Sequence, residues 1–160
     1  MKDVYPLASI LRVRRMHEEK AKDALQKAKN NVLKAKEDYE AAQERLRQYK
    51  EWRPLEEERR YAAIMGSQLS NTDLDTFRNS LAALGEEEVH LEGLCNQALK
   101  AVSEAEEKVR EASLAVKKAA AECKKLETHR EEWMLVWQKE VERQSDLEME
   151  EVKSPQPISE

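Results

Sequence analysis

An apolar stripe recurs at alternating steps of three and four residues from Leu74 to Trp137. It reads Leu74, Phe77, Leu81, Leu84, Glu88, Leu91, Cys95, Ala98, Val102, Ala105, Val109, Ala112, Val116, Ala119, Cys123, Leu126, Arg130, Trp133, Trp137. Only Glu88 and Arg130 interrupt it. A mean step of 3.5 residues places a side chain on one face of an α-helix at every turn, and a frame held this long imposes a left-handed supercoil on a partner helix. No strand has this period. From Ala98 to Ala119 the stripe alternates alanine with valine, so the partner backbone should come close there.

The partner lies in the first half. From Leu25 the same steps give Ala28, Val32, Ala35, Tyr39, Ala42, Leu46 and Tyr49. Run backwards, the frame meets Ala21, Glu18, Arg14, Leu11 and Leu7, so charge at positions 14 and 18 should loosen the first turns. Pro54, the only proline of the interior, predicts a kink or a fresh helical start, because proline removes a helical hydrogen bond. Gly66-Ser-Gln-Leu-Ser-Asn-Thr-Asp73 is the only interior cluster of helix breakers. Gly66 suits the position just past a helix end, and Ser70 with Asp73, or Thr72 with Asp75, resembles a capping box.

The predicted fold is all-α: a long antiparallel two-helix coiled-coil hairpin. Helix one covers about 6–65, the turn about 66–72 and helix two about 73–143, with 144–160 an acidic, disordered tail. With one turn near 69, residue i should lie opposite roughly 138 − i.

Composition excludes the alternatives. Charged residues are 38% of the 160, and hydrophobic residues only 40%. Three glycines and four prolines cannot supply the turns of a sheet protein. Cys95 and Cys123 are too far apart along one helix to bridge, which suits a reducing, cytosolic setting. No apolar run approaches the roughly 20 residues needed to span a bilayer, and residues 1–6 do not open a secretory signal. Direct membrane insertion is therefore not expected.

Charge is unevenly placed. Residues 1–66 hold 16 Lys+Arg against 12 Asp+Glu, and the remainder holds 12 against 21. A basic first helix and an acidic second one attract along their length. The basic run 9–36 lacks the interleaved aromatics of a nucleic-acid stacking surface, and no nucleic-acid partner is expected. His17, His90 and His129 lie far apart without metal-ligand spacing, and no glycine-rich phosphate loop is present. No cofactor, metal or catalytic residue is expected, and the chain does not read as an enzyme.

The opening Leu7-Ala-Ser-Ile-Leu11-Arg-Val-Arg14-Arg-Met-His-Glu18-Glu-Lys-Ala21 resembles the start of the YscO/FliJ family of type III secretion and flagellar export. Paired leucines, an arginine stretch, then Glu and Ala entering a long hairpin are common to both. Length and turn placement extend the likeness over nearly the whole chain, most closely to its chlamydial members. The resemblance implies a cytoplasmic stalk, peripheral to the inner-membrane export apparatus. Such a stalk engages a hexameric export ATPase, links it to the export-gate membrane protein and handles export chaperones. The implied ATPase contact is the end with both termini: Leu7, Leu11, Arg12, Arg14 and Arg15, with Trp133 and Trp137 opposite. The implied gate stripe is Phe77, Leu81, Leu84 and Glu88, of which the last two depart from the flagellar pattern. Those four also lie in the seam, and a kink at Pro54 would leave them incompletely packed and exposed. Two other classes fit a bare coiled coil: a structural protein dimerising through its seam, and a holdase gripping clients between apolar tips.

Overall fold

The structure is a computed structural model that describes residues 5–153. It contains two α-helices, α1 (Ala8–Ile64) and α2 (Asn71–Lys153), and no strand among the described residues. The two run antiparallel as a helical hairpin. The chain divides into two compact units, each holding a piece of both helices. Met1–Ala24 with Ser113–Glu160 form the terminal unit, and Leu25–Ala112 form the turn unit.

The stripes face each other as the spacing requires. Every α1 position from Leu25 to Tyr49 in the frame is buried or half-buried. So are the charged positions Arg14 and Glu18, which the three-four rhythm places inward despite their chemistry. Along α2 every stripe position is buried or half-buried except Leu74 and Arg130. The 138 − i register places Trp133 at position 5 and Phe77 at position 61; Tyr5 meets Trp133 and Tyr61 meets Phe77, with ring centroids 5.6 and 5.1 Å apart. The buried apolar set is thin: Tyr5, Leu11, Ala28, Leu84, Leu91, Cys95, Val102 and Cys123.

Pro54 does not break the chain. It sits inside α1, on an exposed position. The carbonyl of Lys50, which proline leaves without its helical donor, belongs to an exposed residue that water can reach. The gap in the ladder therefore opens to solvent and helix propagation continues across it.

The turn forms where the breakers stand. Gly66 adopts φ +83°, a conformation open to glycine without a Cβ penalty, and Ser67 N donates to Ile64 O at 3.2 Å. Ser70 and Asp73 close a reciprocal capping box before α2. Asp73 N donates to Ser70 Oγ at 3.1 Å, and Ser70 N donates to Asp73 Oδ2 at 3.2 Å. Asp73 also places a negative charge at the positive end of the helix dipole.

At its far end α2 continues to Lys153, past the expected end near 143, so the start of the acidic tail is helical. Glu140 Oε1 and Nη2 of Arg143 lie 2.7 Å apart, one such pair that holds an exposed turn together. The expected tail beyond 153 lies outside the described residues.

Replacing Ser70 by Ala should lower unfolding free energy by about 1 kcal/mol, since it strips one half of the capping box. Urea denaturation should show a lower midpoint with an unchanged slope.

Candidate functional sites

The terminal unit holds Tyr5, Trp133 and Trp137 together with Arg12, Arg14, Arg15 and Arg130. Tyr5 is buried and its hydroxyl is hydrogen-bonded to Nδ1 of His129. Its ring meets Trp133 edge-on, and Trp133 stacks on Trp137 at 6.3 Å. Leu11 is 3% exposed, so this expected contact residue is part of the core that holds its neighbours in place. Leu7, Trp133 and Trp137 are half-buried.

The three expected arginines separate by environment. Arg14 is half-buried and pairs with Glu122 across the helices at 3.8 Å. Arg15 is exposed and lies 3.5 Å from Glu127, a surface pair worth little. Arg12 is exposed and forms no ion pair among the described residues. Beside them lies Arg130, the exposed interruption of the α2 stripe. Tyr5, Ala8, Leu11, Arg12, Arg15, Arg130 and Met134 line one groove of about 310 Å³. A second groove of about 510 Å³ shares Arg15, Arg130 and Met134 with it and adds Glu127, Glu131, Leu135 and Gln138. Three guanidiniums thus stand around an apolar floor, an arrangement suited to carboxylates carried on an apolar surface.

Cys123 in this unit is 2% exposed, and its Sγ donates to Glu127 Oε1 at 3.5 Å. Burial first, then the hydrogen bonds to Glu18 and Glu127, push its thiol above the ordinary value. It is held as a thiol rather than a reactive thiolate.

The turn unit places the expected gate stripe inside the seam. Leu84 is buried, and Phe77 and Leu81 are half-buried. Glu88 accepts a hydrogen bond from Arg53 Nη1 at 3.0 Å, and Arg53 Nε also donates to Glu57 at 2.8 Å. Gly85 lies under this guanidinium; a Cβ there would stand 3.2 Å from Nη2. α1 runs on through Pro54 without a fresh start, and the stripe stays packed in the seam.

Beyond Tyr49 the α1 face turned to α2 becomes polar. Tyr49 Oη donates to Leu84 O at 2.7 Å, and burial pushes its phenol up. Glu56 is buried and accepts from Arg59 and Arg60, while Arg60 Nη1 donates to Ser80 O at 3.3 Å. The Arg59 and Arg60 hydrogen bonds hold its carboxyl down to about 2 from an ordinary 4.5. The apolar side chains Trp52, Leu55 and Met65 of this stretch are exposed, Met65 by 78%, and Tyr61 is exposed on one side while its ring packs on Phe77.

Sequence reasoning missed Tyr5, Arg130 and the polar seam. The register could have found two of them: 138 − 133 puts position 5 opposite Trp133, and 138 − 88 puts a needed cation near position 50.

Residues 7–155 match the family described as type III secretion protein YscO. The chain belongs to the YscO family. Among solved structures it is similar to type III secretion protein YscO from Vibrio parahaemolyticus, with 21% identity over 91% of each chain and a TM-score of 0.83. It is also similar to the YscO homologue CT670 from Chlamydia trachomatis, with 18% identity over 94% of this chain and 93% of that one and a TM-score of 0.71. At these identities the two likenesses speak for the hairpin fold. No curated protein matches its sequence. As a YscO-family member the chain is a type III secretion protein. Among the described residues no helix is long and apolar enough to cross a membrane.

Phe77→Ala should cost roughly 2 kcal/mol of stability, about half the usual value for a fully buried ring, and lower the melting temperature. A second test uses acid. Glu56 has a lower pKa folded than unfolded, so its contribution is complete above about 4.5 and is lost as pH falls towards about 2. Glu56→Gln should therefore lose part of the stability gained between pH 2 and pH 6, read by chemical denaturation at each pH.

Proposed function

We propose that this YscO-family chain is a cytoplasmic stalk of a type III secretion system, engaging the hexameric export ATPase through its terminal unit. The observation that supports this most is the groove in which Arg12, Arg15 and Arg130 surround Met134, with Arg12 and Arg130 unpaired among the described residues. A stalk seated in a ring must hold without locking. Exposed arginines suit that task, because their attraction is long-ranged, water-screened and quickly remade. The leucines and tryptophans expected in this contact act by building the platform: Leu11 and Tyr5 seat α1 on α2, and Trp133 with Trp137 stiffens the opposite wall.

In the same reading the turn unit meets the export gate. Phe77, Leu81, Leu84 and Glu88 hold the seam, and the contact falls to the exposed apolar side chains around it, Tyr61 and Met65, with Leu74 at its edge. Export chaperones are further partners of this stalk.

The test is ATP hydrolysis by the cognate export ATPase with and without the chain. Arg12→Glu, Arg15→Glu and Arg130→Glu together should leave helicity intact and cut stimulation several-fold. Raised salt should narrow the difference between wild type and variant, since exposed charges are screened beyond about 8 Å at physiological strength. Arg14 is left alone because a carboxylate there would face Glu122. Full stimulation by the triple variant would remove the groove from the contact.

A further inference from the structure

The middle of the hairpin carries a surface the stalk reading does not use. Within the turn unit, Lys29, Val32, Leu33, Lys36, Glu106, Val109 and Arg110 line a groove of about 450 Å³. Its floor is Val32 and Val109, both half-buried seam residues. Its wall is Leu33, which follows a seam residue and is 61% exposed. Positions flanking a two-stranded seam ordinarily carry Glu or Lys that pair across it. A leucine there has nothing to cover it in a two-helix structure. The seam alongside is small, with Ala28, Val32 and Ala35 on α1 and Val102, Ala105 and Val109 on α2, so flanking side chains stand above it as ridges. On α2, Leu99 falls seven and eleven residues before Glu106 and Arg110, on the same flank, and is 49% exposed.

The charges say what kind of chain fits. Lys29, Leu33 and Lys36 are spaced four and three apart, so two cations bracket the leucine on one face. Along α1 the ion pairs stop at Lys22 and resume at Glu44–Arg47; between them no lysine is paired among the described residues. A second copy of the chain docked on the same groove about a two-fold axis would bring these lysines towards their own copies. Nucleic acid would waste the valine floor.

We propose that this groove is a docking site for an acidic amphipathic helix of a partner protein. The helix lays its apolar stripe on Val32, Leu33 and Val109 and sets carboxylates against Lys29 and Lys36, making a local three-helix packing. The site is independent of the ATPase contact.

The probe is a fluorescein-labelled synthetic helix of about 18 residues, roughly five turns, with leucines at i, i+3 and i+7 and glutamates on both flanks. A control peptide carries lysines in place of the glutamates. Anisotropy with the full chain should show binding of the acidic peptide and none of the basic one. Leu33→Glu, and separately Lys29→Glu with Lys36→Glu, should weaken it by about tenfold or more with unchanged circular dichroism. The Arg12, Arg15 and Arg130 triple variant should bind the peptide as wild type does. Equal binding of both peptides, or wild-type affinity in Leu33→Glu, would overturn the site. So would loss of binding only in the arginine variant, which would move the peptide to the terminal unit. A wild-type mass near twice 18.6 kDa that Leu33→Glu halves would assign the face to a second copy instead.

Discussion

Two helices share a single line of contact, and each seam side chain can be covered from one direction only. No large side chain is fully buried among the described residues, and the buried set includes the small residues Ala28, Cys95 and Cys123. Stability of this kind comes from length rather than depth. It depends on the three-four step never slipping, because one missed step rotates the rest of the stripe away from its partner. The nineteen stripe positions of α2 keep that step throughout, even where the side chain is Glu88 or Arg130.

A seam of alanine and valine adheres without choosing a register, since a shift by one heptad presents much the same surface. The polar stretch near the turn makes the choice. Arg53 reaches Glu88, Arg60 reaches Ser80 O and Tyr49 reaches Leu84 O, three bonds across the helices that can form together at one offset. Polar seam positions set register in coiled coils at some cost in stability. Here the cost is contained because each buried charge is partnered, Glu56 by two guanidiniums. In the same stretch Trp52 and Leu55 stand on the surface.

The flanks of such a hairpin are where partners are met. The grooves described in this hairpin are formed by side chains standing beside its seam. Their chemistry follows from positions that depart from ordinary pairing: among the described residues, Arg12 and the outward-turned stripe residue Arg130 form no ion pair in the terminal unit, and Leu33 is exposed in the turn unit.

The three-four spacing determined the helices, and the breaker cluster with its Gly66 and Ser70–Asp73 chemistry determined the turn and, through it, the antiparallel pairing and the approximate 138 − i offset, because these depend on local geometry along the chain. The family was legible in the opening around Leu7 and Leu11 for the same reason. What sequence could not decide is which side of a seam position wins when chemistry and phase disagree. Arg14 and Glu18 turn inward by phase, Arg130 outward against it, and Phe77 packs on Tyr61 rather than standing free. Pro54 stays helical at an exposed position. The seam outcomes depend on what lies across the hairpin, and only the tertiary structure brings that neighbour into place.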